Sequence, residues 1–429
     1  MIAGLAIFFC IVVVYSVVAA WLNKRSITMP MFFVVVGALI GSQGLGLLDI
    51  SLSSETIKLL VEITLALLLF ADSSTLSLRQ IREDPSLPSR LLGFALPLII
   101  VFGGVAALGL FPDEGIGFAM LLGSILAPTD AALGMPIFTN RRVPARIRRA
   151  LNIESGLNDG IATPFVTLFI AMAVAEQTQQ VSNWLVIAVV EILIAIGVGV
   201  GVGLLGGWLF TKATKHRLTT RTTEQIGILM LALATYLVSI ALGGNGFIAA
   251  FVGGMFFGAS SHHRKHNAVE FTEVTGSLLS VFVWTVFGSL MVIPLITHFN
   301  FRALLYAILS LTLVRMLPVG ISMISKGLRR DTLFIMGWLG PRGLASVVFT
   351  ILAYESFTEA SRPLDNLLAM AGWTILLSVL LHGFSARPLA AWYANRLKTA
   401  DPSVPELVEV ADLDVAHQAV RSYNSTSQE

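Results

Sequence analysis

Apolar runs long enough to cross roughly 30 Å of hydrocarbon as helices recur along almost the whole chain, and they restrict it to a polytopic α-helical membrane protein. Hydropathy gives about thirteen spans, at residues 2–22, 29–48, 56–77, 89–111, 115–138, 149–175, 183–211, 223–243, 245–260, 269–295, 302–325, 331–356 and 366–395. Only 13% of the 429 residues are charged and 55% are hydrophobic, which excludes a water-soluble domain. The first span lacks a basic leader and a small-residue cleavage site, so it reads as a retained helix.

Assigning alternate loops to opposite sides puts 23 of the 28 basic residues on one side and only Lys58, Arg302 and Arg362 on the other. Arg315 and Arg342 fall inside spans. The positive-inside rule then orients the chain with its N-terminus outside and its C-terminus in the cytoplasm. The formal net charge of +2 reflects this topology and gives no reason to expect nucleic acid. A lone cysteine, Cys10, allows no intramolecular disulfide and is expected to pack within the first span. Residues 400–429 are polar and acidic and read as a short mobile cytoplasmic tail.

Two spans are broken. Ala127-Pro128-Thr129-Asp130 places a proline and a carboxylate inside the fifth, and Gly340-Pro341-Arg342-Gly343 places a proline and a guanidinium inside the twelfth. Proline removes a backbone hydrogen bond and kinks a helix. Paired interruptions in corresponding segments point to an inverted-repeat transporter with its site near the midplane. Spans one to six and eight to thirteen form the repeats, and an odd connector inverts one relative to the other. Either proline alone would be an ordinary kink; the attached charges favour half-helix ends, whose orphan amides and carbonyls attract opposite charge.

Span six carries Glu154-Ser155-Gly156-Leu157-Asn158-Asp159-Gly160, in which Glu154, Ser155, Asn158 and Asp159 form one polar stripe at helical spacing. Deep charges are therefore Asp130, Glu154, Asp159, Arg315 and Arg342. At about 3 kcal/mol each on insertion scales, five unpaired charges would cost about 15 kcal/mol, comparable with the stability of a whole fold. Two bases cannot satisfy three acids. We expect Glu154 to pair with Arg315, Asp130 to pair with Arg342, and Asp159 to remain free for a cation or a proton. Sodium prefers oxygen ligands, which Asp159, Ser155, Thr129 and Asp130 can supply. For Ser155 and Thr129 the competing reading is a hydrogen bond back to their own helix.

Together these strings resemble the monovalent cation:proton antiporter-1 family, the NhaP-type sodium/proton antiporters and sodium/proton exchangers. Gly244-Asn245-Gly246-Phe247 and Arg315 extend the likeness over nearly the whole membrane region. The resemblance implies a homodimer in the bacterial plasma membrane whose core moves against a dimerisation domain. It implies exchange of Na⁺ for H⁺ by alternating access, with no cofactor and no enzymatic step. It also implies that Asp159 is the carrier carboxylate and that Asn158 before it marks electroneutral exchange. The membrane domain then covers residues 1–399, with core helices at about 89–175 and 302–395 and scaffold helices at about 1–77 and 183–260.

Asp72 is the candidate accessory acid, against the plainer reading of a cytoplasmic helix end. Glu62 and Glu191 also lie inside spans, either lining a funnel or reaching toward an interface. His262, His263 and His266 read as a solvated loop rather than a pH sensor, and His216, His298, His382 and His417 show no metal-ligand spacing. No phosphate loop, nucleophile elbow or cysteine pair provides for ATP use or catalysis. Li⁺ is expected to accompany Na⁺, and K⁺ is the rival cation. A sodium-coupled organic anion symporter would need more polar surroundings than Asp159 has, and a channel would need a continuous pore.

Overall fold

The structure, a computed structural model, describes residues 2–48, 55–75, 84–178, 183–260, 265–358, 365–401 and 403–408. Arg79, Arg82, His262, His263, Arg264, Arg362 and the acidic stretch from residue 409 onward, including His417 and Arg421, lie outside the described residues. Apart from one isolated bridge between Gly41 and Leu48, the described residues build helices, turns and loops. Eight helices are long and apolar enough to cross a membrane, and four shorter apolar helices accompany them among the described residues.

In chain order the helices are α1 (Ile2–Lys24), α2 (Met29–Ile40), α3 (Glu55–Thr75), α4 (Ser86–Leu110), α5 (Ile116–Ile125), α6 (Ala131–Phe138), α7 (Ala145–Thr178) and α8 (Trp184–Lys215). They continue as α9 (Arg221–Ala241), α10 (Gly246–Ser260), α11 (Lys265–Phe287), α12 (Phe301–Lys326), α13 (Arg330–Trp338), α14 (Leu344–Thr358) and α15 (Asp365–Leu397). Each expected span falls on one helix or on a broken pair. The pairs are α5/α6 and α13/α14, and they cross at their breaks. Each half of the chain thus contributes one discontinuous pair to the crossing.

Local chemistry sets the boundaries. Thr28 caps α2, accepting from the Met31 amide at 3.5 Å, and Pro30 fits the first turn, where no amide is needed. The expected run to residue 48 stops at Ile40, because Gly41, Gly44 and Gly46 fold the chain back, with Gly46 at φ +67°. α10 begins where Asn245 Oδ1 accepts from the amides of Phe247 and Ile248 at 3.0 and 3.1 Å. The same side chain donates to Thr167 Oγ1 of α7 at 2.9 Å, so the cap also joins two helices.

Two packing groups emerge. α5 packs against α4 and α7, α15 against α12 and α6, and α13 against α12. On the other side, α3 packs against α10 and α11, and α8 against α10. α3 also touches α7 and α14, which carry functional side chains of the first group.

Two expectations are corrected. Cys10 lies on an exposed face of α1 rather than in packing. The tail does not leave the bundle at residue 400. Glu406 is fully buried and accepts from the Arg329 amide at 2.7 Å and from Thr332 Oγ1 at 2.6 Å, capping the start of α13. Arg146 Nη1 donates to the Pro405 carbonyl at 2.6 Å and so holds the same segment against the first turn of α7. An orphan helix start can recruit a carboxylate from a segment that looks disordered by composition.

Candidate ion-binding site

Four contacts stitch the two breaks together. The Asp130 amide donates to the Pro341 carbonyl at 2.8 Å. The Leu344 amide, at the start of α14, donates to Asp130 Oδ2 at 3.3 Å. Arg342 Nη1 donates to the Ala127 carbonyl at 3.0 Å, and Ser346 Oγ donates to the Ile125 carbonyl at 2.8 Å. Partners more than two hundred residues apart thus complete one another's interrupted backbone. Non-helical backbone at this depth is tolerable only when so covered.

This geometry corrects the expected Asp130–Arg342 ion pair. Asp130 Oδ1 accepts from the Ala132 amide at 2.7 Å while Oδ2 takes the Leu344 amide, so the carboxylate caps both α6 and α14. Arg342 is fully buried and serves carbonyls, those of Ala127 and, at 3.4 Å, Ser310. Each charge faces the helix-end groups of opposite sign that the breaks expose nearby, and neither reaches the other. The far end of α6 is closed in the same way, with Arg148 donating to the Phe138 carbonyl at 3.2 Å.

Glycine makes the crossing possible. A Cβ at Gly343 would overlap the Asp130 side chain, and one at Gly340 would meet the Arg315 guanidinium. The backbone of the second break is pressed directly against Asp130 of the first repeat and Arg315 of its own.

The expected Glu154–Arg315 pair is present. Arg315 Nη1 lies 2.6 Å from Glu154 Oε1, and their side chains are 1% and 4% exposed. Glu154 projects from α7 toward α12, and the neighbouring members of its polar stripe turn to the first break. Asn158 Nδ2 donates to Thr129 Oγ1 at 2.5 Å, and Thr129 Oγ1 lies 3.3 Å from Ser155 Oγ. Thr129 and Asn158 are 1% exposed, and Asn158 Oδ1 has no hydrogen-bond partner among the described residues. Thr129, Ser155 and Asn158 therefore bond to one another rather than to their own helices, and they leave a buried carbonyl-type oxygen available.

Asp159 follows on the same stripe. Among the described residues no base pairs with its carboxylate, whereas Asp130 and Asp72 act on it electrostatically. Asp72, near the end of α3, in turn feels Asp130 and Glu273 of α11. The structure thus brings Asp72 into the neighbourhood of Asp159 and Asp130. Glu273 carries no distinguishing signal in the sequence, because it sits at the polar margin of its span. Glu62 lies toward the opposite end of α3, in the neighbourhood of Tyr236, and Glu191 is half-buried on α8.

His382 supports the second break from α15. Its Nε2 lies 2.7 Å from the Trp338 carbonyl, the last of α13, and its ring stacks on Trp338 at 5.2 Å. Ser378, one turn earlier, accepts from the Arg342 amide at 2.6 Å. His382 has no metal-ligand spacing because its role is to receive a helix end.

Outside the membrane-spanning segments, Arg146 Nε donates to Asp84 Oδ2 at 2.6 Å. Partial burial works to raise the pKa of Asp84, and the hydrogen bonds from Arg146 and Ser86 outweigh it, leaving the carboxyl below its usual range.

Residues 7–392 match the family model described as sodium/hydrogen exchanger, transmembrane. A protein from Alkalimonas amylolytica named as the K⁺/H⁺ antiporter NhaP is 26% identical over 96% of this chain and 70% of its own length. The K⁺/H⁺ antiporter NhaP2 of Shewanella sp. is 26% identical over 85% of this chain, which spans 62% of that relative. The Na⁺/H⁺ antiporter of Schizosaccharomyces pombe is 27% identical, with 70% of this chain and 71% of that protein covered. Among solved structures, the sodium proton antiporter MjNhaP1 from Methanocaldococcus jannaschii shares the fold at TM-score 0.73 with 22% identity, covering 92% of this chain and 99% of that one.

Proposed function

The chain belongs to the sodium/hydrogen exchanger family, and on that premise we propose that it exchanges Na⁺, and Li⁺ with it, for H⁺ by alternating access. The observation that carries this reading is the contrast between two acids on one helix. Glu154 is locked to Arg315, whereas among the described residues Asp159 has no base paired with it, and it shares a helix stripe with Ser155 and Asn158, which are linked through Thr129.

A locked acid cannot exchange its partner for a transported ion; an unpaired one must take either a cation or a proton to become neutral. At membrane depth the bare charge is costly, so the site crosses readily only when loaded. Cation and proton then compete for one carboxylate, and exchange is obligatory. Asp159 supplies the charge. Thr129, Ser155 and the free Asn158 Oδ1 supply neutral oxygen ligands, which suit a hard monovalent cation. Asp130 completes the electrostatic surroundings while holding two helix starts. Asp72 tunes Asp159 from α3.

In this reading the packing group of α4–α7 and α12–α15 is the moving core, and α1–α3 with α8–α10 are the scaffold. Apolar surface left uncovered on α1 and α8, such as Val17 at 80% and Leu193 at 61% exposure, supports lipid contact and a homodimer face there. The orientation has the N-terminus outside and the C-terminus in the cytoplasm. One carboxylate carrying one cation or one proton gives electroneutral exchange.

The named relatives divide between K⁺ and Na⁺, so the test compares cations. Purified protein in vesicles carrying an internal pH dye is challenged with Na⁺, Li⁺ and K⁺. Na⁺ and Li⁺ are expected to drive proton movement at rates unaffected by imposed voltage. A response to K⁺ alone would make this a K⁺/H⁺ antiporter, and no response to any of them would overturn the proposal.

A further inference from the structure

α3 carries ionisable groups at both ends. Asp72 belongs to the surroundings of Asp159. At the other end stand Lys58 and, one turn deeper, Glu62. Lys58 forms an ion pair with Glu355 of α14, a residue 297 positions away, and the two side chains are 31% and 28% exposed. Glu62 lies in the neighbourhood of Tyr236 of α9. The Tyr236 ring lies 5.2 Å from Phe247 of α10, and Phe247 meets Phe349 of α14 edge-on at 6.4 Å and 89°. Tyr236 and Phe349 are 2% and 1% exposed.

These contacts share one property. Lys58, Glu62, Tyr236 and Phe247 stand on α3, α9 and α10, whereas Glu355 and Phe349 both stand on α14 beyond the second break. The ion pair joins the two groups at a water-facing rim, and the aromatic stack joins them in the apolar interior beneath it. Both lie toward the end of α3 away from Asp72. None of these side chains is needed to hold the crossed breaks.

We propose that the Lys58–Glu355 ion pair, backed by the Tyr236–Phe247–Phe349 stack, is the gate that closes Asp159 off from the Lys58 side and must part for the site to open there. The proposal rests on the reading of α14 as part of a body that moves against α3, α9 and α10. If that body shifts, a side-chain pair anchored on both sides cannot persist through the cycle. A half-exposed ion pair suits this task, since it is weak enough to break on every turnover yet biases a two-state equilibrium. The aromatic contacts exclude water while closed and carry no charge to be stranded when open.

The test reads access directly. In a Cys10→Ser background, Glu62→Cys places a thiol just beneath the ion pair, and its modification by a membrane-impermeant thiol reagent is timed from the Lys58 side of vesicles. With the pair intact, labelling is expected to be slow. K58E sets two acids against each other and should accelerate labelling by about tenfold, and E355Q by about threefold. The reversed pair K58E/E355K should return it to within about twofold of the parent. Monodispersity on gel filtration confirms that each variant is folded, with E355Q as the mildest change. Labelling at the parent rate in both K58E and E355Q would overturn the gate, as would a reversed pair that labels as fast as K58E. Repeating the series with Asp159→Asn separates this inference from the transport reading. Loss of ion exchange with the same labelling pattern supports both, whereas exchange that survives Asp159→Asn refutes the antiport site and leaves the gate standing.

Discussion

The Asp130 amide donates to the Pro341 carbonyl at 2.8 Å, so the first break of the chain is hydrogen-bonded through its backbone to the second. That bond, together with the capping of α14 by the Asp130 carboxylate and of the Ala127 carbonyl by Arg342, makes the crossing a single unit. The site helix α7 is fastened to the same unit through Thr129 and through Arg315.

Removing one half of the buried Glu154–Arg315 pair leaves the other charge uncompensated. Glu154→Gln is expected to cost about 3–5 kcal/mol, measured as a lowered unfolding midpoint in detergent. Arg315→Lys keeps the charge but loses the planar fork, and is expected to fall between the parent and Glu154→Gln.

Gly343→Ala presses a methyl group into Asp130, whereas Gly320→Ala adds one where nothing lies within 4 Å. The first is expected to lower both thermal stability and exchange. The second is expected to be neutral or slightly stabilising, since α12 loses a flexible residue. Parallel melting curves and exchange assays compare them.

Arg342→Gln deprives the Ala127 and Ser310 carbonyls of a charged donor in a buried setting. A loss of about 2–3 kcal/mol is expected. Exchange should fall more steeply than stability, because the loosened carbonyls belong to the break that carries Thr129. The check is the exchange rate at a temperature where both proteins remain folded.

Asp84 titrates below its unfolded value because Arg146 and Ser86 hold its charged form against the cost of burial. A depressed folded pKa contributes stability that is fully present above the unfolded carboxylate value, about 4, and is lost as pH falls through the lower folded value. Asp84→Asn is therefore expected to lower the unfolding midpoint at pH 7, and the gap from the parent should close as pH falls below about 4. Because the pair is partly exposed, the gap should correspond to about 1 kcal/mol or less.

The sequence made the site legible because charge stands out against an apolar background. Asp130, Glu154, Asp159, Arg315 and Arg342 could be found by that contrast, and the expected pair of Glu154 with Arg315 is present, although the shortage of bases alone does not say which acid takes which base. The mutual pairing of Asp130 with Arg342 was the miss; the compensation of helix ends expected of both charges is what the structure has, and which carbonyls Arg342 serves, those of Ala127 and Ser310, is invisible in residue types. Contacts set by tertiary packing were equally hidden. Asp72 and Glu273 come together through the packing of α3 on α11, and Lys58 finds Glu355 across 297 positions. Glu406 is an ordinary acidic residue in a polar stretch until the start of α13 is found beside it. The end of α2 was readable in principle from Gly41, Gly44 and Gly46, but hydropathy does not register backbone reversal.

The claim that a single carboxylate serves cation and proton alternately is tested most directly by Asp159→Asn in vesicles, with internal pH followed as Na⁺ is added. The amide keeps the shape and the hydrogen-bonding surroundings while removing the titration. The account predicts a folded protein in which Na⁺-driven proton movement falls to the level of empty vesicles. Proton movement at the parent rate in that variant would contradict it.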